Sequence, residues 1–343
     1  MVALDVQKAF DCVDHDTLCK KLDIMGIENK WFRSYLENRS QIVNVNGTHS
    51  DVHNIMCGVP QGSLLGPLLY LCHSNDMEMA VKCKLILYAD DSIIMVSHKD
   101  PKYIEAKLEK ELNSVNSWLI ENKLSLHPGK CESILFGSKR KCKKITNFSV
   151  KYNDTEITAK SNIKYLGTTI DQTMSGQDIV TSIIKKANGK LKFLYRYKRV
   201  LNRTTRKILA TALIQGNSDY ACMSWYHSLN VTMKHRLQVV QNKVVRFILN
   251  LGPRDHIGQT ELKEVGYLNT NDRVTQLGLN MIHSVFYDTC PDYLKPFYTR
   301  TRDIHSHNTI GSDFNFRVPN INTITVTTFC IRALAHSIVF LII

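Results

Sequence analysis

Apolar residues in the first half of the chain form short continuous runs, typical of buried strands, and one longer stretch with the three- and four-residue spacing typical of a helix. Residues 1–6 predict a buried strand, and residues 84–87 and 93–96 predict two more, joined by a turn that carries adjacent carboxylates. Residues 101–122 predict an amphipathic helix, because apolar side chains recur there every three or four positions. This mixture predicts an α+β fold.

Turn and capping residues predict the remaining elements of this half. Asp14 and Asp16 are candidate caps for a helix that Gly26 would end. The other predicted elements are helices over 17–25, 28–38 and 63–80, a hairpin of 41–45 with 52–56 around Asn46-Gly47, and short strands near 132–136, 148–152 and 163–170.

The composition changes after about residue 172. Residues 176–250 predict two or three long helices with few turn signals, and the remainder alternates helix with loop. We therefore predict an α+β region over 1–172, a basic helical region over 173–250 and a helical or irregular region over 251–343.

The chain is strongly basic, with 44 Lys and Arg against 31 Asp and Glu. A net charge of +13 favours a polyanionic partner, either a nucleic acid or an anionic membrane surface. Residues 185–207 concentrate this charge and contain no acid, and a helix with one cationic and one apolar side suits either partner. The basic residues are Lys185, Lys186, Lys190, Lys192, Arg196, Lys198, Arg199, Arg203, Arg206 and Lys207.

The cysteines and the chain ends narrow the class of protein further. None of the ten cysteines forms a C-x-x-C pair, which argues against a zinc ribbon and a thioredoxin-type site. The N-terminus has no signal-peptide pattern, and the apolar end over 337–343 is shorter than the ~20 residues of a membrane span. We therefore expect an intracellular protein with reduced thiols and no membrane segment.

Three acidic residues are the strongest candidates for chemistry. Asp5 ends an apolar strand, and Asp90 and Asp91 lie at the tip of an apolar hairpin. Taken singly, Asp5 can be a strand-end turn residue and the other two a solvated turn. If the strands pair, however, their carboxylates converge, and such oxygen ligands suit a pair of Mg²⁺ ions about 4 Å apart.

Five segments, in order and at compatible spacing, resemble the polymerase motifs of reverse transcriptases from non-LTR retrotransposons of the jockey-like or LINE type. They are residues 3–15 (motif A), 57–67 with 74–76 (motif B), Tyr88-Ala89-Asp90-Asp91 (motif C), 124–130 (motif D) and 164–167 (motif E). Residues 237–249 and 291–294 also resemble the downstream region of such elements. The Tyr-Ala-Asp-Asp match alone would be weak, whereas the ordered set is specific.

The resemblance implies a polymerase palm, an antiparallel sheet with packed helices, followed by a helical thumb. It implies an RNA-directed DNA polymerase that transfers a nucleotide from a dNTP to the 3′-OH of a DNA primer on an RNA template. Two Mg²⁺ ions, or Mn²⁺ as a substitute, would be its cofactors. Because the resemblance begins at motif A, we expect the family's fingers and endonuclease to be missing from this sequence and the first strand to lack partners. The lifestyle of such elements implies a ribonucleoprotein in the cytoplasm and nucleus.

The same resemblance assigns roles to individual residues. Asp5, the carbonyl of Val6 and Asp90 would hold the metal ions, with Asp91 as a supporting carboxylate. Lys130 would be a general acid toward pyrophosphate, although a lone loop lysine is more often a solvated charge.

Binding roles follow in the same way. Phe10 would exclude a 2′-OH from the nucleotide site, although an ordinary core aromatic is the alternative. Gln61 and Gly62 would form the floor beneath the nascent base pair, or simply a tight turn before a helix. The primer grip would be Tyr165, Leu166 and Gly167, and the basic residues of 185–207 would contact phosphates.

Two other functions stay open. One is a non-catalytic remnant that binds nucleic acid through residues 185–207. The other is an RNA-binding maturase of the intron-encoded type, which shares the palm. The oligomeric state is not indicated by any pattern in the sequence.

Overall fold

Helices and short antiparallel strands alternate through the computed structural model, which describes residues 1–145 and 147–290. The chain divides into two units, Met1–Tyr165 and a second that begins at Leu166. This division falls a few residues before the predicted change at residue 172. The mixed α and β content predicted from the sequence is confirmed.

The first unit contains six α-helices and eleven strands among its described residues. The helices are α1 His15–Ile24, α2 Lys30–Leu36, α3 Leu65–Ser74, α4 Met77–Ala80, α5 Pro101–Glu121 and α6 Lys139–Cys142. The strands are β1 Val2–Asp5, β2 Ser40–Gln41, β3 Asn44–Val45, β4 Thr48–His49, β5 His53–Asn54, β6 Lys84–Tyr88, β7 Asp91–Met95, β8 Glu132–Ser133, β9 Ser149–Tyr152, β10 Thr155–Thr158 and β11 Asn162–Tyr165.

A four-stranded antiparallel sheet, with strand order β6-β7-β1-β8, forms the centre of this unit. Strand β1 pairs with β7 along its whole length, from Val2 opposite Ile94 to Asp5 opposite Asp91. On the other edge of β1, Val2 lies opposite Ser133. The expectation that the first strand would lack partners is therefore wrong, because later segments of the chain supply one on each side.

Helix α5 contributes the longest apolar stripe to the core of the first unit. Asp100 caps its start by accepting a hydrogen bond from the Lys102 N–H at 3.0 Å, and Pro101 occupies the first turn. The stripe predicted from the sequence is buried, at 7% exposure or less, at Ile104, Leu108, Leu112, Val115 and Leu119. Each of these side chains stabilises the fold by about 1.5–3 kcal/mol.

The region between α2 and α3 forms two short ladders instead of the single long hairpin that we predicted. Strands β3 and β4 pair around Asn46-Gly47, whose φ values of 51° and 86° suit a two-residue hairpin turn. Outside them, β2 pairs with β5. The turn is confirmed, but the predicted second strand over 52–56 has the wrong bounds, because Thr48–His49 pairs first.

A partly buried ion pair marks the point where the helix predicted over 63–80 divides into α3 and α4. Asp76 lies between the two helices, and its Oδ1 is 2.6 Å from the Nζ of Lys21 in α1. The same ammonium donates to the carbonyl oxygen of His73 at 2.6 Å and lies 4.9 Å from the centre of the Trp118 ring. The break in the helix thus provides the acceptors that a largely buried lysine requires.

The first unit should lose stability as the pH falls from about 6.5 to about 4, and part of that loss should come from His73. Burial and the neighbouring Lys21 ammonium lower the pKa of His73 from 6.5 to about 4. In this interval the unfolded chain binds more protons than the folded chain does. The free energy of unfolding should therefore fall toward acid by up to about 1.4 kcal/mol per pH unit.

Chemical unfolding of the parent and of His73→Gln across this interval measures the effect. The buried amino group of Met1, whose pKa burial lowers to about 5, titrates in the same direction in both proteins. The difference between their slopes therefore isolates His73. Equal slopes in the two proteins would contradict this assignment.

The second unit is mainly helical in its described part. Its elements are β12 Thr168–Asp171, α7 Gln177–Arg196, α8 Arg203–Ala210, a π-helical turn Thr211–Gln215, α9 Gly216–Asp219, α10 Cys222–Trp225, a 3₁₀ turn Tyr226–Ser228, α11 Val231–Leu249, α12 Gln259–Val265 and α13 Thr270–Phe286. The long helices predicted over 176–250 correspond to α7 and α11, and shorter pieces separate them.

Asp171, at the end of β12, organises the turn that leads into α7. Its side chain accepts hydrogen bonds from the backbone N–H groups of Thr173 at 3.0 Å, Ser175 at 3.1 Å and Gly176 at 3.0 Å. It also accepts from the hydroxyls of Thr173 and Ser175. This carboxylate therefore fixes the path of the chain at the entry to the helix.

Helix α7 packs one side against α11 and the π-helical turn Thr211–Gln215. Its buried residues include Ile183, Ala187, Leu191 and Leu194, each at most 8% exposed. The predicted C-terminal region is described only as far as residue 290, so the 291–294 and 337–343 segments lie outside the described residues. Across the described part of the chain, no helix combines the length and hydropathy that a membrane span requires.

Candidate active site

Pairing of β1 with β7 brings two of the predicted carboxylates together. Asp5 lies directly opposite Asp91, and residues paired in this way project from the same face of a sheet. Asp90 lies with Ala89 in the two-residue turn between β6 and β7, directly before Asp91. Ala89 has a φ of 50° in this turn. The prediction placed both hairpin aspartates in the turn, which is wrong for Asp91, the first residue of β7. All three carboxylates nevertheless lie at one end of the sheet.

The electrostatics of this end of the sheet reflect its clustered acids. Burial raises the pKa of Asp91, and the negative charges of Asp90 and Asp5 raise it further. Burial and the Asp90 carboxylate also raise the pKa of Tyr70, and burial and Asp91 raise the pKa of Tyr165. The carboxylates thus produce a negative potential that acts on each other and on these two hydroxyls, and such a potential favours a bound cation.

The donor atoms present here are of the type that magnesium prefers. Carboxylate and carbonyl oxygens are hard ligands, and repulsion among adjacent carboxylates is relieved by a divalent cation. Within residues 1–145 and 147–290, however, no group of three His, Cys, Asp or Glu side chains is arranged so that it could hold a metal ion. The oxygen atoms of Asp5, Asp90 and Asp91 are thus of the type that a divalent cation prefers, but their arrangement is not that of a formed metal site.

The segment after α5 closes over the end of β1. The His127 N–H donates to the carbonyl oxygen of Asp5 at 2.8 Å, and buried Val6 lies opposite Leu126. The Nζ of Lys130 is then 3.6 Å from Oδ2 of Asp5. The lysine side chain is 64% exposed, so this ion pair adds little stability. The structure therefore places Lys130 beside Asp5.

Phe10, a few residues after β1, packs against the core of the first unit. Its ring centre is 4.6 Å from that of Tyr70 in α3, and the two planes are inclined by 31°. Tyr70 is 2% exposed, whereas Phe10 remains partly exposed. Packing against Tyr70 fixes the ring of Phe10, and no local sequence pattern singles out that partner beyond the apolar side of α3.

The loop predicted to lie under the base pair is fastened to the segment that follows β1. The Nε2 of Gln61 donates to Oδ1 of Asp11 at 2.8 Å, and the Val59 N–H donates to the carbonyl oxygen of Phe10 at 2.8 Å. Gly58 and Gly62 have φ values of 91° and 80°, which favour glycine. Asp11 therefore positions Gln61, a contact that the sequence analysis did not anticipate.

The three residues predicted as the primer grip fall on both sides of the division between the units. Tyr165 is the last residue of the first unit and is 4% exposed. Leu166 and Gly167 begin the second unit, with φ values of 44° and 78°. The carbonyl oxygen of Leu166 accepts a hydrogen bond from the Tyr220 hydroxyl at 2.8 Å.

The basic residues of 185–207 differ in how far they are free to meet a ligand. Lys190 donates to the Leu213 carbonyl at 2.7 Å, Arg206 donates to the Phe247 carbonyl at 3.0 Å, and Arg203 pairs with Glu264 at 2.8 Å. Lys198 lies 5.3 Å from the centre of the Tyr195 ring. The exposed residues without such a contact are Lys185, Lys186, Lys192, Arg196, Arg199 and Lys207.

A comparison with protein families identifies the family of the segment that carries these residues. The sequence profile of the family described as reverse transcriptase (RNA-dependent DNA polymerase) matches residues 1–170, which include all three carboxylates and the loop around Gln61. Residues 1–170 belong to the reverse transcriptase family. The resemblance of the sequence to non-LTR retrotransposon enzymes is thereby confirmed.

Similar proteins extend the match beyond the reverse transcriptase segment. The chain is 27% identical over 256 residues to a probable RNA-directed DNA polymerase from transposon X-element of Drosophila melanogaster, and 28% identical over 261 residues to the RNA-directed DNA polymerase from mobile element jockey of Drosophila funebris. It is 26% identical over 260 residues to a probable RNA-directed DNA polymerase from transposon BS of Drosophila melanogaster. These alignments cover 71–72% of the chain but 28% of each relative. The chain thus spans little more than a quarter of the length of these relatives.

Proposed function

We propose that this chain carries the nucleotidyl-transfer centre of an RNA-directed DNA polymerase from a non-LTR retrotransposon. In the reaction, the 3′-oxygen of a DNA primer attacks the α-phosphorus of a dNTP, the bond to the leaving oxygen breaks, and pyrophosphate departs. The observation that carries the proposal is the register of β1 and β7, which sets Asp5 opposite Asp91 and beside Asp90. Membership of the reverse transcriptase family supports it.

The cofactors would be two Mg²⁺ ions, for which Mn²⁺ would substitute. Asp5, Asp90 and the carbonyl oxygen of Val6 would hold them, and Asp91 would support the site as a further negative charge. When bound, the ions would neutralise charge on the attacking and leaving oxygens.

The chain's own residues would then orient the substrate. Phe10, braced by Tyr70, would oppose a 2′-OH on the incoming nucleotide, which favours DNA precursors. Gln61 and Gly62 would form the floor beneath the base pair, with Gln61 held by Asp11. Lys130 would give a proton to the leaving pyrophosphate.

The nucleic-acid partners would be an RNA template and a DNA primer. The first unit would act as the palm and the following helices as the thumb. Tyr165, Leu166 and Gly167 would support the primer, and the exposed basic residues of 185–207 would contact phosphates, so that binding weakens strongly with salt. The proposal includes action as a ribonucleoprotein in the cytoplasm and nucleus.

A second candidate is a protein that binds nucleic acid without polymerising it. Two observations favour it. Among the described residues, no three metal-binding side chains are arranged so that they could hold an ion. The Lys130 ammonium also lies 3.6 Å from the Asp5 carboxylate. In this case the basic helices would be the functional surface and the carboxylates a remnant.

Primer extension decides between these two functions. The parent chain, Asp90→Asn and the matched control Asp154→Asn, an exposed hairpin aspartate, are incubated with a primed RNA template, dNTPs and Mg²⁺ at low salt. We expect extension by the parent and the control and none by Asp90→Asn.

The remaining outcomes are equally informative. If none of the proteins extends the primer but all retain binding to the primed template, the second candidate is correct for this chain. Extension by Asp90→Asn at the rate of the parent would show that Asp90 is not a metal ligand.

A further inference from the structure

One side of α7 carries a single exposed strip of charged, aromatic and glycine residues. At 3.6 residues per turn, its seven members lie within about 140° of arc around the helix axis. All seven are exposed. The α7 strip consists of Lys185, Lys186, Gly189, Lys192, Phe193, Arg196 and Tyr197.

The four cations of the α7 strip have no acidic partners among the residues that the structure describes. Asp178 in the first turn is the single acid of α7. Solvated helix faces usually mix both signs, because paired charges add helix stability. A strip with four unpaired positive charges therefore fits a polyanion.

Two aromatic rings lie among these cations and face solvent. Phe193 is 54% exposed and Tyr197 is 48% exposed, and their ring centres are 5.3 Å apart. The neighbouring Tyr195, by contrast, packs against Phe247 with ring centres 5.2 Å apart. The first two rings thus present surfaces that the fold itself does not use.

Gly189 lies at the centre of the strip and makes a gap in it. A Cβ atom built there would meet nothing within 4 Å, and the residue has an ordinary helical conformation. No packing or turn in the described structure requires a glycine, and glycine in a helix interior is destabilising. The gap lets the backbone of a ligand approach α7 closely between the cations and the rings.

The opposite side of α7 excludes a membrane as the partner. A helix that lies on a bilayer inserts its apolar side into the lipid. In α7 that side, including Ile183, Leu191 and Leu194, is buried against other helices of the second unit. What remains exposed is the cationic strip with its two rings.

We propose that the α7 strip binds single-stranded nucleic acid, with unpaired bases stacked on Phe193 and Tyr197 and the backbone crossing α7 at Gly189. Lys185, Lys186, Lys192 and Arg196 would contact its phosphates. Duplexes hide the faces of their bases, whereas a single strand offers them to aromatic rings. This inference rests on the nucleic-acid binding of the proposed function but not on nucleotidyl transfer.

Equilibrium binding tests the α7 strip directly. Fluorescent, unstructured 20-nucleotide RNA and DNA strands and a 20-base-pair RNA–DNA duplex are titrated with the full chain. The variants are Phe193→Ala/Tyr197→Ala and, as a control, Tyr103→Ala, which removes an exposed ring of the first unit. We expect the double variant to bind either single strand about tenfold more weakly, with a much smaller change for the duplex and none for the control.

Gly189→Gln provides an independent second test. Filling the gap should raise the melting temperature, since glutamine is a better helix former. It should also weaken single-strand binding several-fold, because the backbone no longer reaches the helix. A role of Gly189 in folding alone would not produce opposite changes in stability and binding.

Several results would overturn the proposal. The first is that the folded double variant binds single strands as the parent does. The second is that its affinity for the duplex falls as much as its affinity for single strands. The third is that the parent binds vesicles of anionic phospholipid tightly and that the double variant loses this binding but still binds RNA. None of them depends on extension of a primer. Failure of the polymerase assay with the expected binding results would therefore leave the α7 strip intact.

Discussion

Gly58→Ala should reduce the free energy of unfolding of the first unit by about 2–5 kcal/mol. The φ of Gly58 is 91°, a conformation that L side chains rarely adopt, and an added Cβ would lie 2.7 Å from the Asp11 carbonyl oxygen and 2.9 Å from the Asp11 Cα. These are backbone atoms, which cannot move aside as a flexible side chain can. The loop and the segment after β1 would have to separate.

Gly62→Ala is the matched control, because it separates backbone strain from steric overlap. Gly62 has a φ of 80°, but a Cβ there would meet nothing within 4 Å. We therefore expect a loss of only about 1–2 kcal/mol, from the unfavourable conformation alone. Urea unfolding of both variants measures the difference. Equal losses would mean that Gly58 does not pack against Asp11.

Asp171→Ala should cost the second unit about 3–5 kcal/mol. The side chain is 8% exposed and accepts from three backbone N–H groups and two hydroxyls at the start of α7. Removal of the carboxylate leaves these donors without their acceptor and releases the turn that directs α7. Urea unfolding, monitored by helical circular dichroism, measures the loss.

Asp171→Asn and the pH dependence provide the control for this prediction. Burial raises the pKa of Asp171, but the hydrogen bonds from Thr173, Ser175 and Gly176 outweigh it, so that the pKa lies below its ordinary value of 3.8. The contribution of the carboxylate is thus complete above pH 3.8 and is lost as the pH falls below it. Asparagine keeps one acceptor oxygen, so we expect a loss between that of alanine and zero. A loss as large as that of alanine would show that charge, rather than geometry, dominates.

The sequence predicted the local parts of the candidate site well. Short continuous apolar runs identified β1, β6 and β7, and the stripe of α5 is buried as its spacing indicated. The convergence of Asp5 with the hairpin acids followed from strand pairing alone. The strands and the helix were predictable because each depends on a pattern within a few residues, whereas the pairing of β1 with β7 joins distant segments and entered the prediction only as a condition.

Long-range contacts were beyond the reach of such patterns. The motif Tyr88-Ala89-Asp90-Asp91 has no Asn-Gly or Asp-Gly pair to mark its turn, and the residue at positive φ is Ala89. No residue type therefore distinguished Asp90, in the turn, from Asp91, in the strand. The ion pair of Asp76 with Lys21, which accompanies the break between α3 and α4, joins residues far apart in the chain. The hydrogen bond of Gln61 to Asp11 is of the same kind.

The central position of β1 also has a consequence for synthesis of the chain on the ribosome. Val2 leaves the exit tunnel before its partners Ile94 and Ser133. At about 5–20 residues per second, the apolar strand waits several seconds for either neighbour. The central sheet cannot be completed co-translationally before residue 133 has emerged, and until then β1 is an unpaired apolar segment that binds chaperones or other nascent chains.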